Sequence, residues 1–138
     1  MPGPNASLHE GGCACGAVRY RLAAPPFDTG YCHCSVCRRC SGAPVVVYTT
    51  VSRAHVELLR GTPRRVRSTS FGERAFCGDC GTPLWMCVDR EPDAIDITVA
   101  SLDAPGDVTP GFHIWDEARL PWFDVRDALP RHARSRPG

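Results

Sequence analysis

Nine cysteines constrain this chain of 138 residues more than any other feature, because eight of them fall into three short clusters. The clusters are Cys13 with Cys15, then Cys32, Cys34, Cys37 and Cys40, and finally Cys77 with Cys80. Sulfurs two or three residues apart can converge on one metal ion, whereas a direct disulfide between such close neighbours is strained. An odd total also leaves one thiol over in any complete disulfide framework. The spacing therefore predicts metal binding rather than disulfide bonds.

The composition excludes several other classes of chemistry. The chain has no lysine, and all sixteen basic residues are arginine, which rules out a lysine Schiff base and a P-loop lysine. The N-terminal stretch lacks the pattern of an export signal, and no apolar run approaches the roughly 20 residues that cross a membrane. We therefore expect a cytoplasmic protein with no membrane partner, in which the thiols stay reduced.

The charge balance argues against a nucleic-acid partner, because the formal net charge is only +1. One basic run, made of Arg60, Arg64, Arg65 and Arg67, would suit nucleic acid. Acidic residues elsewhere nearly cancel this charge, so we interpret the run as a solvated strand face.

Short segments rich in β-branched and aromatic residues, separated by glycine and proline, predict an all-β domain. Residues 35–40 are the exception, since they are long enough for one helical turn with Ser35 as its N-cap. We expect one domain over residues 12–129, preceded by a loose lead-in of residues 1–11. Residues 130–138 carry no large aliphatic side chain, so we expect a disordered basic tail there.

The first and last cysteine clusters have the form of two halves of one zinc site. Cys77 and Cys80, followed by Gly81, have the spacing of a zinc knuckle, in which a tight turn points two sulfurs the same way. Cys13 and Cys15 are also followed by glycine and are the natural second half. A closed four-cysteine zinc site of this kind is structural and contributes directly to folding.

The middle cluster differs, because Cys32, Cys34 and Cys37 could present three thiolates and leave a fourth position open. Three protein ligands with an open position are the plan of a catalytic zinc site. Two alternatives stay open at this point. Cys40 could be a fourth ligand and make the site purely structural. The spacing of Cys34, Cys37 and Cys40 also matches part of an iron–sulfur run, although Ser41 stands where that run has proline.

Several neighbours of the middle cluster are candidates for other roles. Arg38 and Arg39 flank it and could bind a substrate carboxylate through a bidentate pair. His33 lies between two candidate ligands, so its side chain should point away from the site, and we expect a structural role. His113 and Trp115 could line a pocket or lie in a buried aromatic strand.

Together with their neighbours, the cysteine clusters resemble the glutathione-dependent formaldehyde-activating enzymes and their relatives, a group that includes centromere protein V. The first block reads CACGAVRY, the second CHCSVCRRCSGA and the third FCGDCGTPL, and shorter HIW and PWF segments follow. These blocks run in the order of the family from residue 13 to about residue 123, which is most of the chain.

The resemblance implies a mainly β, Mss4-like fold of compact antiparallel sheets stapled by two zinc ions per chain. The structural zinc would be held by Cys13, Cys15, Cys77 and Cys80, and the open, catalytic zinc by Cys32, Cys34 and Cys37. The implied activity is that of a carbon–sulfur lyase, which joins glutathione to formaldehyde to form S-hydroxymethylglutathione. The competing class is a non-enzymatic zinc module that binds a protein or nucleic-acid partner. Cys40 departs from the family pattern.

Overall fold

The computed structural model describes residues 9–136, and in this part of the chain it contains ten strands and one α-helix. The strands are β1 (His9–Gly12), β2 (Arg19–Leu22), β3 (Phe27–Cys32), β4 (Val46–Ser52), β5 (Val56–Arg60), β6 (Arg64–Thr69), β7 (Gly72–Phe76), β8 (Pro83–Val88), β9 (Ala94–Thr98) and β10 (Phe112–Ile114). The helix α1 (Ser35–Ser41) follows β3. No helix among residues 9–136 is long and apolar enough to cross a membrane.

The strands form two sheets. The smaller sheet has the order β1-β2-β5 and is antiparallel throughout. The larger sheet has seven strands in the order β10-β3-β4-β9-β8-β7-β6, and all its pairs are antiparallel except β10 with β3. The mainly β fold class expected from the sequence is therefore confirmed.

The main core lies between the two sheets, because the strands alternate buried and exposed side chains. Tyr20 and Leu22 of β2 are fully buried against Trp85 and Ile97 of the larger sheet. The Tyr20 and Trp85 rings meet edge to face with centroids 5.9 Å apart. Tyr20 also hydrogen bonds to Ser101 at 2.6 Å, so its hydroxyl is satisfied inside the core.

A second, smaller apolar cluster lies on the opposite face of the larger sheet. It contains the buried residues Cys32, Cys37, Val46 and Tyr48. The helix α1 covers this face, since Cys37 is its buried residue. The middle cysteine cluster is therefore built between β3, α1 and β4, away from the main core.

The helix begins one residue earlier than the sequence predicts. The N-cap is Cys34, whose sulfur accepts a hydrogen bond from the Cys37 backbone N–H at 3.2 Å, so the prediction of Ser35 was wrong. A sulfur can accept a backbone N–H at an N-cap, as a serine oxygen does. The same turn thus caps the helix and turns the Cys34 sulfur toward Cys37.

The chain termini differ from the expected lead-in and disordered tail. His9 to Gly12 pair with β2, so the lead-in prediction is wrong for residues 9–11, and residues 1–8 lie outside the described part.

The tail prediction is also wrong for residues 130–136. The backbone groups on the free edge of β10 need hydrogen-bond partners. The backbone of the tail supplies these partners, so the tail is ordered although it has no large apolar side chain. The His113 N–H donates to the Pro130 carbonyl at 2.8 Å, and the Trp115 N–H donates to that of Arg134 at 3.0 Å. Residues 137–138 lie outside the described residues.

Candidate metal centres and groove

The first centre brings four sulfurs together from two distant turns. Cys13, Cys15, Cys77 and Cys80 each offer a sulfur within 4.8 Å of the other three. The Cys13 and Cys15 sulfurs are 3.6 Å apart, and those of Cys15 and Cys77 are 3.8 Å apart. A tetrahedral zinc ion about 2.3 Å from each sulfur places neighbouring sulfurs about 3.8 Å apart. The donor set therefore fits zinc in both chemistry and spacing.

Two glycine turns give this centre its shape. Gly16 and Gly81 adopt φ values of 81° and 83°, which residues with a side chain rarely adopt. The turns let backbone N–H groups point at the sulfurs, with Val18 donating to Cys13 at 3.2 Å and Asp79 donating to Cys77 at 3.4 Å. These donors stabilise negative charge on sulfur.

The second centre has three converging sulfurs. Cys32 ends β3, Cys34 caps α1 and Cys37 lies in its first turn, and their sulfurs all lie within 4.8 Å of one another. The Cys32 and Cys37 sulfurs are 3.5 Å apart. Cys40, although it is only three residues beyond Cys37, is exposed and does not belong to this group. The three sulfurs fit zinc, and neither a closed four-thiolate site nor a four-cysteine iron–sulfur cluster finds its fourth ligand in Cys40.

Two side chains that the sequence analysis missed contact the second centre. The Tyr48 hydroxyl donates to the Cys37 sulfur at 3.4 Å, and the Arg74 guanidinium donates to the same sulfur at 3.4 Å. Arg74 also donates to the Tyr48 oxygen at 2.8 Å and to the Ser68 hydroxyl at 3.1 Å.

These contacts and the burial of the site affect the protonation of Cys37 and Tyr48. Hydrogen bonds from Cys32 and Cys34, followed by those from Tyr48 and Arg74, lower the pKa of Cys37 to about 2. Burial raises the pKa of Tyr48, so its hydroxyl stays protonated and acts as a donor. Cys37 is therefore held as the thiolate of the three-sulfur group.

Strand register explains why Arg74 was missed. Across the sheet, Arg74 of β7 pairs with Met86 of β8, and Met86 pairs with Asp96 of β9. Asp96 in turn pairs with Thr50 of β4. Since Thr50 and Tyr48 are two residues apart in one strand, Arg74 and Tyr48 lie on the same face of the sheet. The only sign of its role is that a charged residue occupies a position of β7 that faces an apolar cluster. This can be recognised only when the register of the strands is known.

An open groove of about 930 Å³ lies beside this centre. It forms where the larger sheet separates, because β4 pairs with β9 only from Tyr48 onward and β8 pairs with β9 at Trp85 and Met86. The groove runs from Cys40 and Tyr48 to Thr82, which hydrogen bonds to Cys80. It therefore lies between the two cysteine centres.

The predicted substrate-binding arginines lie elsewhere. Arg38 donates to the backbone carbonyls of Ala118 at 2.6 Å and His33 at 3.2 Å, so it ties the helix to the C-terminal segment. Arg39 is exposed, and neither Arg38 nor Arg39 lines the groove. The cation that the fold brings to the groove is Arg74.

His33 and His113 form a buried hydrogen-bonded pair rather than lining the groove. His33 Nε2 and His113 Nδ1 are 2.8 Å apart, and His113 Nε2 lies 2.9 Å from an Asp127 oxygen. When the Nε2–H of His113 donates to the Asp127 carboxylate, its Nδ1 can accept a hydrogen bond from the N–H of His33. The possible ligand atoms of His33, His113 and Asp116 also lie within 4.8 Å of one another. A metal ion bound to all three would break the hydrogen bond between the two histidines. Arg131 also binds Asp116 at 3.2 Å. The network supports the structural role expected for His33.

Two of the four arginines of the basic run are paired with carboxylates. Arg65 lies 3.6 Å from Glu73, and Arg67 binds Asp89 at 2.8 Å. All four of these side chains lie at the protein surface. This arrangement agrees with a solvated strand face.

Asp96, near the second centre, gives a testable pH dependence. Thr50 donates to its carboxyl at 2.9 Å, yet burial raises the pKa of Asp96 to about 6. A folded-state pKa above the unfolded value of about 3.9 means that the charged carboxylate destabilises the fold above pH 6, and that this penalty disappears as the pH falls toward 4. We expect Asp96→Asn to raise the free energy of unfolding by about 1–3 kcal/mol at pH 8 and by about a third of that amount at pH 4.5.

Urea unfolding at both pH values measures this effect. The control is Asp93→Asn, on the exposed turn before β9, which should change the free energy of unfolding by less than about 0.5 kcal/mol at either pH. Equal effects of Asp96→Asn at pH 8 and pH 4.5 would contradict the buried-carboxyl interpretation.

Comparisons with known proteins agree with the motifs. A sequence profile of the family described as glutathione-dependent formaldehyde-activating enzyme matches residues 8–118. A Halomonas elongata protein, whose name carries a provisional assignment as such an enzyme, is 29% identical over 127 residues, which cover 86% of this chain and 81% of that protein. A Schizosaccharomyces pombe protein named as an uncharacterized lyase is 30% identical over 78 residues, or 56% of each chain.

A solved structure shares the fold. The crystal structure of a Rhodobacter sphaeroides protein aligns with a TM-score of 0.56 and 23% identity, covering 88% of this chain and 98% of that one. The profile match extends over both cysteine centres, from the start of β1 to the turn after β10. The chain therefore belongs to the family of glutathione-dependent formaldehyde-activating enzymes.

Proposed function

We propose that this protein is a zinc-dependent carbon–sulfur lyase that catalyses the reversible addition of a thiol to an aldehyde. The observation that carries the proposal is the convergence of three sulfurs, without Cys40, beside an open groove. The family and the names of the relatives support a lyase, and they suggest glutathione and formaldehyde as the thiol and the aldehyde. A cytoplasmic location is part of the proposal, because it would keep nine cysteines reduced.

Two zinc ions per chain belong to the proposal. The four-cysteine set would hold one ion with no free position, which suits a structural role. Cys32, Cys34 and Cys37 would hold the other. When bound there, zinc would supply Lewis acidity that favours the thiolate form of a thiol near neutral pH.

The residues around the second centre would orient the reaction. The substrate sulfur adds to the aldehyde carbon and forms the carbon–sulfur bond, while the π electrons of the carbonyl move to its oxygen. That oxygen takes up one proton and the thiol loses one, so the product is a neutral hydroxymethyl thioether. Tyr48 and Arg74 hold Cys37 as a thiolate, and the groove accepts the rest of the thiol molecule. Holding the two reactants together is the contribution of the protein to rate.

Exchange spectroscopy by NMR tests this proposal. The uncatalysed addition is fast, so the measurement must be the exchange rate between glutathione and S-hydroxymethylglutathione at equilibrium. With zinc-loaded protein at micromolar concentration we expect the exchange rate to rise at least tenfold and in proportion to protein. An exchange rate that does not depend on protein concentration would favour the alternative, a zinc module without catalytic activity.

A further inference from the structure

Among the described residues that line the groove, one carries a charged side chain. That side chain is Arg74, and the remaining lining residues are apolar or uncharged, including Val46, Phe76, Pro83 and Trp85. Among residues 9–136, no acidic residue lines the groove. A ligand that fills it therefore meets one cationic side chain, which also contacts the Cys37 sulfur, in mostly apolar surroundings where charge interactions are strengthened.

Arg74 has no carboxylate partner among the described residues. The salt bridges between residues 9 and 136 do not include it, although it is half-buried. Its three hydrogen bonds go to Ser68, Tyr48 and Cys37, whereas a guanidinium carries five N–H donors. Two donors therefore remain available, and the three bonds hold the group in one orientation. A half-buried cation held in place beside an open groove has the properties of an anion-binding group.

We propose that Arg74 binds an anionic group of the thiol substrate and makes the site selective for thiols that carry a carboxylate over neutral thiols of similar shape. The inference rests on the proposed function, because it assumes that a thiol is bound at the second centre. Arg74 touches the Cys37 sulfur and the groove at once, so a carboxylate bound to it lies near the reacting sulfur. Arg74 is thus a specificity-determining residue, and the arginines beside the middle cluster, Arg38 and Arg39, are not.

The first test uses the zinc-loaded wild-type protein. Calorimetry gives the dissociation constants of 3-mercaptopropionate and of its methyl ester, which differ in charge and hardly in shape. We expect the acid to bind at least tenfold more tightly than the ester. Equal binding of acid and ester would overturn the inference and leave the proposed function standing, whereas binding of neither thiol would overturn both.

The second test uses substitutions of Arg74. Arg74→Gln should weaken binding of the acid at least tenfold and that of the ester less than threefold, and Arg74→Lys should restore part of the preference for the acid. The control is Arg65→Gln, an exposed arginine on the neighbouring strand β6, which should change neither constant. A loss of the same size for acid and ester would mean that Arg74 acts only on Cys37 and would overturn its role in selection. Circular dichroism and the zinc content of each variant show whether the fold is kept, and the wild-type comparison decides the matter if Arg74→Gln does not fold.

Discussion

Replacing Cys77 by serine should unfold the protein under conditions in which the wild type is fully folded. Cys77 is 1% exposed and belongs to the four-sulfur centre that joins the turn after β1 to the turn between β7 and β8. Structural zinc contributes about 10–16 kcal/mol to the folding of small zinc peptides, which is as large as the whole stability of a typical domain, about 5–15 kcal/mol. Loss of one ligand leaves three sulfurs and weakens the link between these two turns.

Cys87 provides the matched control for this prediction. It is also a buried cysteine, 8% exposed in the main core, but it belongs to neither sulfur group. Cys87→Ala should cost about 1 kcal/mol, the usual effect of a small loss of packing. Urea unfolding followed by circular dichroism, together with the zinc content of each protein, compares the two variants. If Cys77→Ser unfolds at the same urea concentration as Cys87→Ala and keeps its zinc, the first centre is not a structural zinc site.

The second large effect is expected at Cys37. Cys37→Ser should lower the zinc content from two ions to one per chain and reduce the catalysed exchange rate more than 100-fold. The three-sulfur group loses the sulfur that Tyr48 and Arg74 contact, and two thiolates do not complete a catalytic zinc site. The fold should survive, because Cys37 belongs to the smaller apolar cluster and the four-cysteine centre is unchanged.

Cys40→Ser is the control, three residues farther along the same helix. The Cys40 side chain is exposed and stands outside the three-sulfur group, so this variant should keep two zinc ions. If Cys40→Ser loses zinc, the second centre is closed by a fourth thiolate and the open-site mechanism fails. If Cys37→Ser keeps both zinc ions and its activity, the assignment of the second centre is wrong.

Much of the fold and both cysteine groups could be predicted from local sequence patterns. Cys77 and Cys80 with the following glycine predict a turn whose sulfurs converge, and this geometry depends only on residues close in sequence. The helix at residues 35–40 was also predictable, although its cap was assigned to Ser35 instead of Cys34. The tail at residues 130–136 was not, because its order comes from backbone hydrogen bonds to β10 and from ion pairs of Arg131 and Arg134 with distant carboxylates.

Arg74 and the groove depend on tertiary structure alone. Arg74 reaches Tyr48 and Cys37 because the register of four neighbouring strands places β7 and β4 side chains on one face. No local pattern distinguishes Arg74 from the other fifteen arginines. The groove exists because β4 and β8 separate beyond the end of their pairing with β9, which is a property of the whole sheet.

The sequence by itself determined which residues can hold metal, because ligand spacing within a turn is set by a few neighbouring backbone angles. It also determined the β class, through alternation and the positions of glycine and proline. Only the tertiary structure decided that Cys40 stays outside the second centre, that Arg38 binds backbone carbonyls, and that Arg74 is the cation of the groove. Those outcomes depend on distances between side chains from segments far apart in the chain, which only packing and strand register can set.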